Sequence, residues 1–169
     1  GFPSYAEVVK PLGSLNPFVI LLFIKTSKPS SLYPDWGIPA VEPIITIKET
    51  DGSNGYKSAM YVRKDSNIYS IEDMKGKSVA WSDPNTTSGY LVPSFELHQR
   101  GINPSEFFSR TGFAGGHEQA IIAVLNGQYD AGATWVSGQG PVEEGYTRGV
   151  FRNMIKKGLL DMDKLRVIW

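Results

Sequence analysis

The chain contains no cysteine, which excludes disulfides, thiolate metal sites and cysteine nucleophiles in one step. It also lacks a prevailing charge, since 17 Lys+Arg stand against 17 Asp+Glu. That balance removes the basic footprint of a nucleic-acid binder. It leaves hydrogen-bond donors and helix ends as the means of holding an anion. Histidine is scarce, with His98 and His117 alone, and the two are not spaced to face a metal from one helix. Long apolar runs are missing too. The strongest, residues 18–24, is far too short to span a bilayer and lacks the basic start and small-residue cleavage site of a signal peptide, so it reads as a buried strand. No Gly-x-Ser-x-Gly nucleophile elbow occurs, and residues 112–117 lack the Lys and Ser/Thr that end a phosphate-binding P-loop. These gaps argue against an enzyme, a bound metal or an organic cofactor. A length of 169 residues suits one domain, or two small lobes sharing a hinge.

What is present falls into two parts. Pro3, Pro11, Pro17, Pro29, Pro34, Pro39 and Pro43 punctuate the beginning and leave room only for short elements. A brief helix is expected over 5–10, a strand over 18–24 and a loop over 26–39. From Glu42 the pattern turns β-rich, predicting strands over 44–48 and 56–63 joined by a turn at 51–55. Ser70 and Asp73 have capping-box spacing for a short helix ending at Gly76. Beyond it the pattern is α/β alternation: strands over 78–81, 110–113 and 130–134, and helices over 88–100 and 117–126 that stop at Gly101 and Gly127. Asp130 reads as a cap or turn residue. A weaker helical stretch over 142–158 precedes a last strand at 165–169.

Two turns carry chemistry. In Asp83-Pro-Asn-Thr-Thr-Ser-Gly-Tyr90, a strand gives way to a helix start, so Thr86, Thr87 and Ser88 bring hydroxyls to the place where unpaired N–H groups emerge. A cap needs one such residue, and three exceed that need. Gly89 is expected to keep the approach to an oxyanion open. In Phe113-Ala-Gly-Gly-His117, Gly115 and Gly116 allow backbone amides close to a ligand, and His117 can donate to an anion. The helix N-terminus opposes protonation of that ring, which leaves its charge open. In a parallel α/β layer both turns lie on one edge of the sheet. Trp135, at the same edge, either walls a ligand or fills the core. A triad of Ser88, His117 and an acid is conceivable, but clustered hydroxyls at a helix start are placed to donate, whereas a nucleophile needs a base beside it.

Five strings, in order over about two-thirds of the chain, resemble the phosphonate/phosphite/phosphate-type substrate-binding proteins of ABC transporters. They are Gly55-Tyr56-Lys-Ser-Ala-Met-Tyr61-Val-Arg63, Ser70-Ile-Glu-Asp-Met-Lys-Gly-Lys77, Asp83-Pro-Asn-Thr-Thr-Ser-Gly-Tyr90, Phe113-Ala-Gly-Gly-His117 and Ala123-Val-Leu-Asn-Gly-Gln-Tyr-Asp-Ala131. The resemblance implies the two-lobed type 2 periplasmic-binding α/β fold. It implies an oxyanion gripped by Thr86, Thr87 and Ser88, with their amides, and by His117, with Tyr56 closing over it; Gly116, from the glycine turn, joins them as a candidate. It also implies an ABC permease as partner and a periplasmic or lipid-anchored extracytoplasmic location. Thr86 stands where the family often has Ser, which keeps the hydroxyl. Before Glu42 only Gly1-Phe-Pro-Ser-Tyr5 has a likeness, placing Tyr5 at a ligand-side turn of the first lobe. The expected division is a partial first lobe and hinge over 1–63, a second lobe over 64–165 with the anion-binding turns, and a return strand over 166–169. The length then suggests a fragment, whose open sheet edge predicts a homodimer or little order before Glu42. A sensory domain that signals through a neighbouring module would carry the same features.

Overall fold

Short β-rich runs separated by glycine-stopped helices set the architecture. The computed structural model describes residues 23–29, 39–43, 55–138 and 140–169, and the chain divides into two compact units, Gly1–Gly55 and Tyr56–Trp169. In the first, β1 (Phe23–Pro29) pairs antiparallel with β2 (Pro39–Pro43). This corrects the expected loop over 26–39 at both of its ends. Both strands of a two-stranded ribbon are edges, so proline, which cannot donate to a ladder, is tolerated in them. Pro29 and Pro39 face each other beyond a register shift. Tyr5, the expected helix over 5–10, residues 18–22, the expected strand over 44–48 and the turn residues 51–54 lie outside the described residues.

The second unit holds β3 (Lys57–Arg63), β4 (Ser78–Trp81), β5 (Arg110–Phe113), β6 (Ala131–Ser137), β7 (Arg148–Gly149) and β8 (Leu165–Val167). Their order is β5-β4-β6-β3-β8, with β7 on β6. Strand β4 runs parallel to β5 and β6, while β3 is antiparallel to β6 and β8. The connection from β4 to β5 carries α1 (Val92–Gln99) and α2 (Pro104–Phe107); that from β5 to β6 carries α3 (His117–Leu125), and α4 (Val150–Lys156) follows β7. Alternation along the strands feeds two cores. Met60, Val62, Val79, Trp81, Ala131 and Ala133 pack with Leu97 of α1. Ala59, Tyr61, Ala80 and Val136 pack with Ile121 and Val124 of α3 and Phe151 of α4. Helices thus cover both faces, as parallel strands require.

Several boundaries move. Strand β6 extends to Ser137, past the expected end at 134, because β3 offers it partners as far as Lys57 opposite Val136. The stretch 142–158 is not one helix, since Gly145 (φ 73°) and Gly149 (φ 122°) break it into a 3-10 turn, β7 and α4. The last strand is shorter than expected, although the N–H of Ile168 still donates to the Met60 carbonyl at 2.9 Å. The capping box forms, with the Ser70 N–H donating to Asp73 Oδ2 at 3.1 Å and the Asp73 N–H to Ser70 Oγ at 3.4 Å, but it starts only a 3-10 turn.

Asp130 does more than turn the chain. Its Oδ2 accepts from the Ser78 N–H at 2.8 Å and from Ser78 Oγ at 2.7 Å, latching the start of β6 to the start of β4. Burial opposes its ionisation, but the two Ser78 donors, with Lys77 and Arg63, outweigh burial and hold the carboxyl below its ordinary value. Asp130→Ala should therefore lower stability by about 1–2 kcal/mol in urea unfolding at pH 7, for the lost charge-assisted bonds. A carboxyl lowered by folding contributes above its ordinary value of 3.8 and loses that contribution as pH falls through its folded one. The gap between parent and variant should accordingly close in acid.

Candidate functional site

Strands β4, β5 and β6 run parallel, so the turns that leave them share one edge of the sheet. After β4, Asp83 Oδ1 accepts the Asn85 N–H at 2.9 Å and the Asp83 carbonyl accepts the Thr86 N–H at 3.0 Å. Helix then begins, but as a π turn over Thr87–Leu91 rather than as the expected α-helix: the Leu91 N–H reaches back to the Thr86 carbonyl at 3.0 Å. The sequence contains a cause. In an α-helix the Gly89 carbonyl would be served by residue 93, which is proline and has no N–H. That carbonyl instead accepts the Ser82 N–H at 3.2 Å, drawing the turn onto the end of β4. Thr86 is the extended N-cap and makes no side-chain cap bond. The first turn's N–H groups, on Thr87, Ser88 and Gly89, precede the first intrahelical bond. Ser88 is buried, and its carbonyl accepts from Ser58 Oγ at 2.6 Å.

The second turn bends through Gly115 (φ 86°) and the extended Gly116 into α3. The first α3 bond runs from the Ala120 N–H to the Gly116 carbonyl, so the N–H groups of His117, Glu118 and Gln119 lie ahead of it. His117 is half-buried. Its Nδ1 lies 2.9 Å from Ser82 Oγ and 3.2 Å from Thr134 Oγ1, and Ser82 Oγ donates to the Ala133 carbonyl at 3.0 Å. Burial pushes the ring's pKa down from its ordinary value, opposed by a hydrogen bond to that carbonyl.

The two turns meet at Gly89. A Cβ there would sit 2.3 Å from Ser82 Oγ, 2.5 Å from Ser82 Cβ and 2.9 Å from His117 Cε1. The expectation that Gly89 keeps a ligand's approach open is thereby corrected: its missing side chain makes room for Ser82 and His117. Tyr56 meets Trp135 edge to face, with centroids 5.9 Å apart. Trp135 is half-buried and lies within β6 opposite Ser58, so a strand holds it instead of the turn beyond. Through Ser58 this pair adjoins the π turn. Sequence reasoning missed Ser58, Ser82 and Thr134. Thr134 had a signal, being a polar residue inside an otherwise apolar strand.

Among the described residues no carboxylate stands at His117 Nδ1, where a triad would need one. Among the described residues no group of three or more His, Asp or Glu is placed to hold a metal ion. A groove that includes Arg63, Asn126, Leu160 and Lys164 lies beyond the other end of α3 from His117, and its charges are of both signs.

Residues 39–169 match the family described as ABC transporter, phosphonate, periplasmic substrate-binding protein. The chain belongs to that family. It is 33% identical to the phosphate-import protein PhnD of Mycolicibacterium smegmatis over 130 residues, which cover 73% of this chain and 37% of that protein. Among solved structures it is similar to a binding protein component of an ABC phosphonate transporter from Pseudomonas aeruginosa, with a TM-score of 0.59 and 31% identity over 73% of this chain and 38% of that one. PhnD1 of Prochlorococcus marinus, solved in complex with methylphosphonate, matches with a TM-score of 0.52 and 27% identity over 68% of this chain and 40% of that one. The chain thus spans about a third of the length of curated relatives, 37%, 25% and 32% of three of them. Its α/β sheet with helices on both faces is part of the periplasmic-binding fold of this family, as the sequence strings implied. No helix among the described residues is long and apolar enough to cross a membrane.

Proposed function

We propose that this chain is ligand-binding sequence from the substrate-binding component of an ABC importer for a phosphonate, phosphite or related oxyanion, which it binds without chemistry. One observation carries the reading: the turns after β4 and β5 converge, with His117 Cε1 lying against the Gly89 backbone. N–H groups from both turns, with the hydroxyls of Thr86, Thr87 and Ser88, can then surround one tetrahedral anion, and both helix dipoles favour its charge. The Tyr56–Trp135 pair provides an aromatic wall beside the π turn. Absence of turnover fits a ring whose Nδ1 rests on hydroxyls and a carbonyl, without the carboxylate that orients a catalytic base. Such a component works outside the cytoplasm and delivers to a permease.

Calorimetric titration with methylphosphonate, phosphite, phosphate and sulfate tests this proposal. Saturable binding of at least one phosphorus oxyanion is expected, and heat flat for all four would refute it.

A further inference from the structure

The His117 ring rests on a polar cluster that determines which of its edges carries a proton. Around Nδ1 lie Ser82 Oγ and Thr134 Oγ1, and Ser82 Oγ also touches the Ala133 carbonyl. A carbonyl only accepts, so the single Ser82 proton is committed to Ala133 and Ser82 turns a lone pair toward the ring. Ser82 and Thr134 are both buried, so no bulk water relieves a mismatch there. A proton on Nδ1 satisfies the cluster, with Ser82 Oγ as its nearest acceptor. Were Nδ1 bare, its lone pair would oppose those of Ser82 Oγ and of the carbonyl, gaining only one bond from Thr134. An idle Thr134 proton costs less than two opposed contacts at a buried nitrogen. Across the ring, Nε2 has no hydrogen-bond partner among the described residues, and it lies on the edge away from the buried cluster.

Building on the oxyanion reading above, we propose that Ser82 is a positioning residue that holds His117 in the Nδ1–H tautomer, so that the neutral ring turns an acceptor, Nε2, to the ligand and selects oxyanions bearing an acidic P–O–H proton. The ligand supplies the proton and donates it as a hydrogen bond, and none is transferred. Burial keeps the ring neutral to lower pH than usual, consistent with this role. The charged and titratable groups near the ring do not contest it. Glu118, its neighbour on α3, is tied to Lys157 at 2.6 Å. From the β4 side, Asp83 accepts the Asn85 N–H. Tyr90 in the π turn meets Trp81 and Phe113 edge to face, and β6 presents Thr134, which does not titrate in this range. None of these charges appears among the causes of the His117 shift.

Methylphosphonate and methanesulfonate separate the possibilities. Both are tetrahedral monoanions in mild acid, but only the phosphonate retains an acidic proton, since the second ionisation of a phosphoryl group lies near neutral pH, about 6 for a phosphate monoester. The 169-residue chain should bind methylphosphonate at least about tenfold more tightly than methanesulfonate at pH 6, because the sulfonate leaves the Nε2 acceptor unpaired. Above the phosphonate's second ionisation its affinity should fall about tenfold per pH unit, the slope for one required proton. Nitrogen-15 spectra of the ring should show Nδ1 protonated in the free protein; with only His98 and His117 present, a His98→Gln variant assigns the signals. Ser82→Ala should admit the other tautomer and shrink the phosphonate preference several-fold without a matching loss of thermal midpoint, a pattern that a purely structural serine would not give. An Nε2–H ring, or methanesulfonate bound within about threefold of methylphosphonate, overturns this inference while leaving the oxyanion site in place. Failure of both anions to bind overturns the functional reading itself, and the selection with it.

Discussion

His117→Ala should weaken binding of a phosphorus oxyanion by roughly 10- to 150-fold, the equivalent of about 1.5–3 kcal/mol for one hydrogen bond to a charged group. The imidazole lies against the π turn at Gly89, its Cε1 2.9 Å from where a Cβ on that residue would sit. Its removal also uncovers the buried hydroxyls of Ser82 and Thr134, which lie 2.9 and 3.2 Å from Nδ1. Some stability is lost as well, and Thr134→Val in the same background should restore much of it without restoring affinity. Titration calorimetry and thermal melts on the single and double variants distinguish the two effects. Unchanged affinity in His117→Ala would remove the ring from the site.

Gly89→Ala should be the more damaging change to structure. The added methyl meets Ser82 Cβ at 2.5 Å, a distance that a rotamer change at Ser82 cannot relieve, because Cβ is fixed to the β4 end of the sheet. The π turn must lift off β4, breaking the bond from the Ser82 N–H to the Gly89 carbonyl and taking Gly89 away from His117. Overpacking of this kind costs about 1–3 kcal/mol and occasionally more. Since the same atoms hold the site, anion affinity should fall with stability, unlike in Asp130→Ala, whose latch lies at the opposite end of β4. Urea unfolding and titration on the two variants make the comparison. A Gly89→Ala protein as stable and as tight-binding as the parent would show that the turn tolerates a side chain.

Much of the second unit was legible because its signals are local. The β4 and β5 boundaries fall where the sequence pattern puts them, at 78–81 and 110–113. Gly101 (φ 74°) and Gly127 (φ 71°) stop their helices where a left-handed residue is needed. The two turns proposed to bind the anion announce themselves as a strand end followed by hydroxyls or glycines. Even the π turn had a local cause in Pro93, whose missing N–H leaves the Gly89 carbonyl without an α-helical donor.

By itself, then, the sequence determined the α/β alternation, the two turns and the family to which their strings belong, since each depends on residues close together in the chain. Tertiary structure alone decided what lies beneath His117. Ser82 is 35 residues away and Thr134 is 17 away, and they become its neighbours because β6 is inserted beside β4 while α3 crosses one face of the pair. Strand order fixes that meeting, and no local run of residues specifies it. The same insertion turns Gly89 from a presumed opening into the contact point of both turns, because a position without a side chain takes its meaning from what packs against it.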